Sequence, residues 1–307
     1  MRTVLVSFIS ICFAFGTSLA QSTFLTTLES VWGTKVFVCK GDSCRQVYEQ
    51  DDRAFFNDDI AASPTDRLLC AVSSSRDFIK KETEQPYVDH ELLIFSTGGD
   101  LLKRIPHVQR YSWSPNGKQL ACILGTKYEG FGFAPDSLIV FNTTDWNKHV
   151  LNPKVDYQDI YWASFDSMLY ATNFRNVYQI NPKSGTIIRT DYKGIYISPD
   201  GKYYFRANYE GGTFGVYERK TNKDVTPIGY RESPSVNFHR WLPTGSTLVF
   251  GDTFKDKQVL NLITKESEAI SGQIVGYNEA TKEFTVLKHH RFFPEVSDKK
   301  IESITIH

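Results

Sequence analysis

The sequence has little methionine and no net charge. Its 307 residues include two Met, and 35 Lys and Arg residues balance 35 Asp and Glu residues. Without net charge, no field over the whole surface attracts nucleic acid or an anionic membrane, so we expect no nucleic-acid partner. Tyr (16) and Phe (22) are plentiful instead. Because these residues suit pleated, half-buried strands, the composition indicates β structure.

Long apolar runs are absent after the N-terminus. The first 20 residues contain Arg2, an apolar run from Val4 to Phe15, and small residues at Ser18 and Ala20. This pattern is typical of a signal peptide cleaved after Ala20, and the run is shorter than the about 20 apolar residues of a membrane anchor. We therefore expect residues 1–20 to be removed. The mature chain would have no transmembrane segment and would be secreted, extracellular or periplasmic.

Cysteine is scarce, and one of the five Cys residues lies in the predicted signal peptide. Cys39 and Cys44 flank a short turn between two strand-like runs, so we expect their thiols to face each other and form a disulfide. A metal site is the alternative, but the flanking residues include no His. Cys70 and Cys122 each fall in the second strand of a repeat, where a buried free thiol acts as a small hydrophobic group.

Catalytic and cofactor motifs are also missing. The chain has no Gly-x-Ser-x-Gly turn, no Gly-rich phosphate loop and no calcium loop, so we assign no catalytic residue, no metal site and no cofactor. The remaining candidates for chemistry are histidines. His239, His289 and His290 would serve a polysaccharide lyase or hydrolase with a metal-dependent site, which is the alternative function.

A repeated phrase is the strongest pattern that is present. It reads Ser-Pro-Asn-Gly-Lys at Ser114–Lys118 and Ser-Pro-Asp-Gly-Lys at Ser198–Lys202, each between apolar runs. Pro presets φ and the Asn/Asp-Gly pair reverses the chain, so each copy predicts two antiparallel strands joined by a tight turn. Looser copies have their anchor residues at Ser63, Ala163, Leu242 and Asn278.

Each copy is followed by two more strand-like runs, which makes four strands per repeat. This pattern predicts an all-β fold, a β-propeller of six four-stranded antiparallel blades that forms one domain over residues 21–307. Strands from both chain ends would close it. If the N-terminal runs Lys35–Val38 and Arg45–Glu49 form a blade of their own, the number of blades is seven.

The Ser-Pro-Asp-Gly-Lys turn at Ser198–Lys202 also links the chain to a known family. Through this turn and its near copy at Ser114–Lys118, the chain resembles the TolB-type, WD-repeat-like β-propeller family. The resemblance covers most of the mature chain and implies the propeller fold. It assigns no functional residue, because the turn is a structural motif.

Aromatic residues are concentrated in the loops between the second and third strands of the repeats. These loops share one face with the connections between blades, because turns alternate between the ends of an antiparallel meander. Aromatic and Arg side chains are common anchors of interfaces. The predicted binding residues are Tyr87, Tyr128, Phe131, Phe133, Phe174, Arg175, Tyr209, Phe214, Arg231, Arg240 and Phe254. Any one of these aromatic residues would instead fill the core if its loop folded inward.

The sequence thus predicts a secreted, monomeric propeller that binds a protein or carbohydrate partner through this face. A binding protein fits the missing motifs better than an enzyme, and a structural scaffold of the cell envelope is a further alternative. One modification site is also predicted. Asn142-Thr143-Thr144 matches the N-glycosylation pattern directly after a strand, which makes Asn142 a candidate in a eukaryotic secretory pathway.

Overall fold

The fold is taken from a computed structural model, and its regular elements are all β-strands within the described residues. The described residues are 23–30, 33–40, 43–51, 54–56, 61–62, 68–77, 87–125, 127–129, 132–134, 137–153, 156–173, 175–206, 214–227, 238–242, 244–251, 257–271, 273–278, 283–288 and 300–305. Every strand pairing in this part is antiparallel. Across the same residues, no helix is long and apolar enough to cross a membrane. The all-β prediction is confirmed for this part of the chain.

The N-terminal part forms two sheets. Sheet I has the order β1 (Thr23–Ser30), β2 (Gly33–Lys40), β3 (Ser43–Asp51). Sheet II contains β4 (Ala54–Phe56), β5 (Ala61–Ala62), β6 (Leu68–Asp77), β7 (Tyr87–Ser96) and β8 (Leu101–Pro106), with the order β4-β6-β7-β8 and β5 paired to β6. The predicted N-terminal runs lie in β2 and β3, which pair with each other in sheet I. This is the arrangement on which the seven-blade alternative depends.

Three sheets follow in the middle of the chain. Sheet III contains β9 (Val108–Trp113), β10 (Gln119–Leu124), β13 (Ser137–Asn142) and β14 (Lys148–Asn152), and the separate hairpin β11 (Lys127–Glu129) and β12 (Gly132–Ala134) lies between β10 and β13 in the chain. Sheet IV contains β15 (Asp159–Trp162), β16 (Leu169–Thr172), β17 (Val177–Ile180) and β18 (Ile187–Thr190). Sheet V contains β19 (Tyr196–Ile197), β20 (Tyr203–Arg206) and β21 (Gly215–Glu218).

Two sheets form the C-terminal part. Sheet VI contains β22 (Phe238–Trp241), β23 (Thr247–Gly251), β24 (Lys257–Asn261) and β25 (Ser267–Ile270). Sheet VII contains β26 (Gln273–Asn278), β27 (Glu283–Lys288) and β28 (Lys300–Thr305). In sheets III to VII the strands lie side by side in chain order, so each sheet is a meander.

The Ser-Pro-Asp-Gly turn joins the first two strands of its sheet, as the sequence predicts. The Gly201 N–H donates to the Ser198 carbonyl at 2.8 Å, and the Ser198 hydroxyl donates to Oδ1 of Asp200 at 2.7 Å. Gly201 has a φ of 70°, in the left-handed region that favours glycine. The copy in sheet III has the same turn, with Gly117 at a φ of 64°.

Turns of this type pack against one another between neighbouring sheets. A Cβ atom on Gly201 would lie 2.7 Å from Cδ2 of Phe165, which belongs to the corresponding turn of sheet IV. A Cβ atom on Gly245 in sheet VI would lie 2.5 Å from Cγ of Asp200. Glycine at these positions therefore permits close contact between sheets as well as the turn itself.

The core lies between consecutive sheets. In β7, Leu92 and Ile94 pack with residues of sheet III, whereas Leu93 and Phe95 pack with residues of sheet I. Both faces of a central strand are thus buried, because successive side chains point to opposite faces. Further clusters join sheet III to sheet IV and sheets IV, V and VI to one another. Sheets I to VI therefore form a continuous series of face-to-face contacts.

Candidate functional site

One end of the sheets carries the long connections between strands, and we call it the hairpin end. In sheet III, β9 begins, β10 ends and β13 begins at this end, because Leu124 pairs with both Val108 and Ser137. In sheet II, the β6–β7 connection lies at the end where β8 finishes at Pro106, directly before β9. The hairpin end is the face that the sequence predicts for binding.

The β6–β7 hairpin projects past the rest of sheet II at the hairpin end. β6 and β7 have ten residues each, and they pair over their whole length up to Asp77 opposite Tyr87. The neighbouring β8 has six residues, and its pairing with β7 ends with Glu91 opposite Pro106. The segment Tyr87–His90 of β7 therefore extends beyond β8.

A second hairpin, β11–β12, stands on sheet III at the same end. In its register Tyr128 lies opposite Phe133, and Glu129 lies opposite Gly132. Aromatic residues at directly opposed positions are among the pairs that stabilise a two-stranded ribbon. β11 lies beside β7, so the two hairpins are neighbours. The two neighbouring hairpins thus carry three predicted binding residues, namely Tyr87, Tyr128 and Phe133.

Three polar side chains meet where the first strands of sheets III, IV and V begin, and we call Arg110, Asp159 and Tyr196 the central polar cluster. Oδ2 of Asp159 accepts a hydrogen bond from the Tyr196 hydroxyl, and Oδ1 accepts one from the Ile160 N–H at 2.8 Å. Nε of Arg110 lies 3.9 Å from Oδ1 of Asp159. Asp159 and Tyr196 are buried, whereas the Arg110 side chain is 36% exposed. Arg110 is therefore the member that solvent and a ligand can reach.

Hydrogen bonds between first strands hold the central polar cluster in place. The Tyr161 hydroxyl donates to the Ile197 carbonyl at 3.1 Å, and Nε1 of Trp241 donates to the Tyr196 carbonyl at 2.8 Å. The Trp162 N–H donates to the Ser112 hydroxyl at 2.8 Å. These bonds join first strands of sheets III to VI, so the cluster sits on a rigid support.

Sheet IV adds a polar rim at the hairpin end. Nδ2 of Asn173 donates to Oδ2 of Asp156 at 2.8 Å, and Arg175 is exposed in the same turn. Tyr157 packs against Tyr178 with ring centroids 5.4 Å apart. Burial raises the pKa of Tyr157, so this hydroxyl stays protonated at neutral pH. The rim therefore presents amide, carboxylate and guanidinium groups.

A row of tyrosine rings lies away from this site, between sheets IV and V. The ring centroids of Tyr170 and Tyr192 are 6.2 Å apart, those of Tyr192 and Tyr204 are 5.3 Å apart, and Tyr204 stacks on Tyr217 at 5.2 Å. Burial raises the pKa of Tyr204 to about 12. Burial and the hydrogen bond to Asp166 raise the pKa of Tyr170 further. These hydroxyls stay protonated, so the row joins the sheets and supplies no base.

The predicted binding residues have different outcomes. Tyr87, Tyr128 and Phe133 lie on the two hairpins described above, Arg175 is exposed in the β16–β17 turn, and Arg240 lies in β22 opposite Val249. Five predicted binding residues lie outside the described residues, namely Phe131, Phe174, Tyr209, Arg231 and Phe254.

Phe214 is the predicted residue that the structure places in the core. Its side chain is 3% exposed, and its ring stacks on Phe250 of sheet VI with centroids 4.3 Å apart. The ring centroid of Phe205 lies 6.0 Å from that of Phe214. Phe214 directly precedes β21, so it belongs to the buried edge of the sheet and not to an exposed loop. Its assignment to the binding face is corrected accordingly.

The predicted disulfide falls on the β2–β3 hairpin. Cys39 lies opposite Cys44, and Lys40 opposite Ser43 forms the last pair before a two-residue loop. In such a hairpin the second pair from the loop is the non-hydrogen-bonded one, with Cα atoms about 4.5 Å apart. This spacing lies within the range of disulfides, and the bond stays a prediction. Cys122 is buried, as expected.

The predicted glycosylation site is accessible. Asn142 is exposed at the last position of β13, and its Oδ1 accepts a hydrogen bond from the Thr144 N–H at 2.9 Å. The Thr143 hydroxyl donates to the Gly117 carbonyl at 2.9 Å. Asn142 therefore lies at the end of sheet III opposite the hairpin end, and its modification stays a prediction.

Asp159 is the residue that the sequence analysis missed. It stands three residues before Trp162, and Arg110 stands three residues before Trp113 in the preceding repeat. Arg110 and Asp159 thus occupy the same position in two successive repeats whose neighbouring residues are mostly apolar. This pair of opposite charges was the signal that could have indicated the cluster. Such charges are rarely buried unless they are paired.

Metal-ligating residues do not gather in the part of the chain that the structure describes. No group of three or more His, Cys, Asp or Glu side chains there could hold a metal ion. His239 lies in β22 opposite Phe250, and His289 and His290 lie outside the described residues. The hypothesis of a histidine-based enzyme therefore stays a prediction.

Known proteins resemble this chain in structure only. No protein-family model and no curated protein sequence matches it. Among the solved structures that are similar is a chain titled Kuenenia stuttgartiensis hydrazine synthase, with 12% sequence identity and a TM-score of 0.50. The similarity covers 74% of this chain and 72% of that chain. At this identity the similarity concerns the fold alone, and it indicates a β-rich fold over the part of the chain that it covers.

Proposed function

We propose that this chain is a secreted β-propeller of seven blades that binds a protein or carbohydrate partner at its hairpin end. Seven successive antiparallel sheets of three to five strands support the blade arrangement. The shared cores between consecutive sheets I to VI support it further. In this arrangement the first strands surround the axis, and the central polar cluster lies at the mouth.

The observation that carries the binding proposal is the pair of neighbouring hairpins. β6–β7 and β11–β12 both project at the hairpin end, and they place Tyr87, Tyr128 and Phe133 on adjoining strands. A projecting ribbon with aromatic positions on a rigid β scaffold is typical of a recognition surface. The half-buried Arg110 and the exposed Arg175 side chains add donors that suit carboxylate, carbonyl or hydroxyl groups.

Binding also fits the chemistry of the central polar cluster. The Asp159 carboxylate already accepts hydrogen bonds from Tyr196 and the Ile160 backbone and lies beside Arg110. A carboxylate held in this way orients the guanidinium of Arg110 and is poorly placed to take a proton from a substrate. Arg110 then acts as an oriented donor toward a bound polymer.

The test is a binding measurement on the full chain with two aromatic residues removed. Purified protein is applied to an array of random peptides and to an array of glycans, and the affinities of the best ligands are measured by calorimetry. We expect Tyr128→Ala with Phe133→Ala to weaken binding at least tenfold, because truncated aromatic anchors typically cost more than about 1 kcal/mol each.

The matched control is Ile188→Ala on β18. Ile188 is 55% exposed, and it lies on the outermost strand of sheet IV, away from both hairpins. We expect this variant to bind with unchanged affinity. Equal affinity of the aromatic double variant and the wild type would overturn the proposal, and so would a wild type that binds no ligand on either array.

A further inference from the structure

We infer that the partner is an extended polypeptide segment, which adds as a strand to the edge of β7 at Val88 and His90. The inference rests on the proposed function and names its partner class and mode of contact. It depends on three features of sheet II, namely where β8 stops, which backbone groups of β7 face outward, and what lies beside them.

β8 stops before β7 does. The pairing of β7 with β8 ends at Glu91 opposite Pro106, and the chain turns away from β7 at the next residue. His107 then has a φ of 61°, in the left-handed region, which turns the chain toward β9. Among the described strands, none pairs with Tyr87–His90 on this edge, whereas β6 pairs with the opposite edge.

The outward backbone groups of β7 can be identified from its pairing. The Ser96 N–H donates to the Asp100 carbonyl, so the backbone of Ser96 faces β8. β7 pairs with β6 without a register shift, and backbone groups alternate between the two edges with a period of two. Residues Ile94, Leu92, His90 and Val88 therefore also face the β8 side. Glu91 faces β6, which agrees with its position opposite a proline.

The N–H and C=O groups of Val88 and His90 thus face outward in line with β8, at a position where none of the described strands pairs with them. A second polypeptide strand presents complementary groups at the same spacing, and a glycan does not. An unpaired edge of this kind is a template for strand addition. The β11–β12 hairpin, which carries Tyr128 and Phe133, lies beside β7.

The experiment compares proline with alanine at each position, so that the outward backbone N–H is removed in one variant and kept in the other. Dodecapeptides selected by phage display on the full chain are synthesised, and their affinities are measured for Val88→Pro against Val88→Ala and for His90→Pro against His90→Ala. Proline removes the outward N–H, whereas alanine keeps it. We expect each proline variant to bind at least tenfold more weakly than the alanine variant at the same position.

Amide hydrogen exchange in the wild type supplies a readout that does not depend on the folding of a variant. Addition of the selected peptide is expected to slow exchange at Val88 and His90 at least tenfold. Asp89 is expected to change less, because its backbone faces β6 and pairs with Ser75. The comparison of neighbouring amides separates strand addition from a general stabilisation of the hairpin.

The outcomes distinguish this inference from the proposed function. If proline and alanine variants bind equally and exchange at Val88 and His90 does not change, strand addition is overturned. The proposed function still stands in that case, provided that Tyr128→Ala with Phe133→Ala weakens binding. If a glycan binds and no peptide is selected, strand addition is also overturned, and the hairpin end remains a binding face for carbohydrate.

Discussion

At the scale of residues, two copies of one turn use different side chains for the same hydrogen bonds. Oδ1 of Asp200 accepts from the Ser198 hydroxyl at 2.7 Å and from the Lys202 N–H at 3.0 Å. In sheet III, Oδ1 of Asn116 accepts the corresponding bonds at 2.9 Å and 3.0 Å. The geometry is nearly identical, so one copy depends on an ionised group and the other does not.

Asp200 is expected to make part of the stability depend on pH. Burial opposes its ionisation, but hydrogen bonds from Ser198 and Lys202 outweigh burial and hold its pKa below the ordinary value of 3.8. A folded-state pKa below the unfolded value means that this stability is present above about pH 4 and lost as the pH falls through the folded value. Urea unfolding should show that the free-energy difference between wild type and Asp200→Asn shrinks on acidification. Asn116→Asp is the matched variant and should introduce the same dependence in sheet III.

Asp159 is expected to contribute strongly to stability through the central polar cluster. Asp159→Ala leaves the buried Tyr196 hydroxyl without this acceptor and Arg110 without its carboxylate. We expect a loss of about 3 kcal/mol in the free energy of unfolding, in the range for removal of one partner from a buried charged group. Asp156→Ala is the control, because Asp156 is exposed and should cost less than about 1 kcal/mol. Equal losses would show that the cluster has no special role.

At the scale of elements, the turns act as contacts between sheets. Phe165 of sheet IV packs on Gly201 of sheet V, and the guanidinium carbon of Arg219 lies 4.4 Å from the centre of the Phe165 ring. Nε of Arg219 donates to the Gly201 carbonyl at 2.6 Å. The Phe165 ring is thus held between a glycine and a guanidinium, which leaves it little room to move.

Two glycine substitutions separate the cost of backbone geometry from the cost of sheet contact. Gly185 and Gly201 have φ values of 72° and 70°, but a Cβ on Gly185 would have its nearest neighbour at 3.8 Å. We expect Gly185→Ala to cost about 1–2 kcal/mol for the left-handed backbone alone. Gly201→Ala should cost at least about 1 kcal/mol more, because its Cβ would overlap Phe165. Thermal unfolding of both variants is the measurement, and equal shifts would mean that Phe165 moves aside freely.

At the scale of the whole molecule, the first and the last sheet of the series each have one face that no neighbour in the series covers. Sheets I to VI share cores with their neighbours, and β1 of sheet I lies beside β26 of sheet VII. In a closed propeller the first and last blades meet in this way, which protects faces that would otherwise be exposed. Closure is part of the proposal and has a direct test.

Truncation after Ser271 removes sheet VII and tests closure. We expect amides of β1 and β2 to exchange at least tenfold faster in the truncated chain, because sheet I would lose its contact with β26 and keep only sheet II as a neighbour. Amides of sheet IV, whose neighbours on both sides remain, should keep their protection and serve as the internal control. Unchanged protection of β1 and β2 would indicate an open array of sheets.

Much of the fold could be predicted from short patterns, whereas the site could be predicted only in part. The strands around Ser114–Lys118 and Ser198–Lys202 form as expected because the turn bonds join residues at most five positions apart. The sequence predicts a loop at Tyr128 and Phe133, whereas the structure forms the β11–β12 hairpin there. The pairing of Arg110 with Asp159 was missed, because it joins residues 49 positions apart in different sheets.

By itself, the sequence determined the β-strands, the turns and the end of the sheets that carries the long connections between second and third strands. These features depend on side-chain periodicity and on hydrogen bonds between residues close in the chain. A short segment of sequence contains both kinds of information. Tertiary structure alone decided that Phe214 is buried against Phe250 and that Asp159 accepts a hydrogen bond from Tyr196. It also decided that β7 extends beyond β8 and lies beside β11. Each of these depends on how separate sheets stack or end, and stacking is set by packing between residues far apart in the chain.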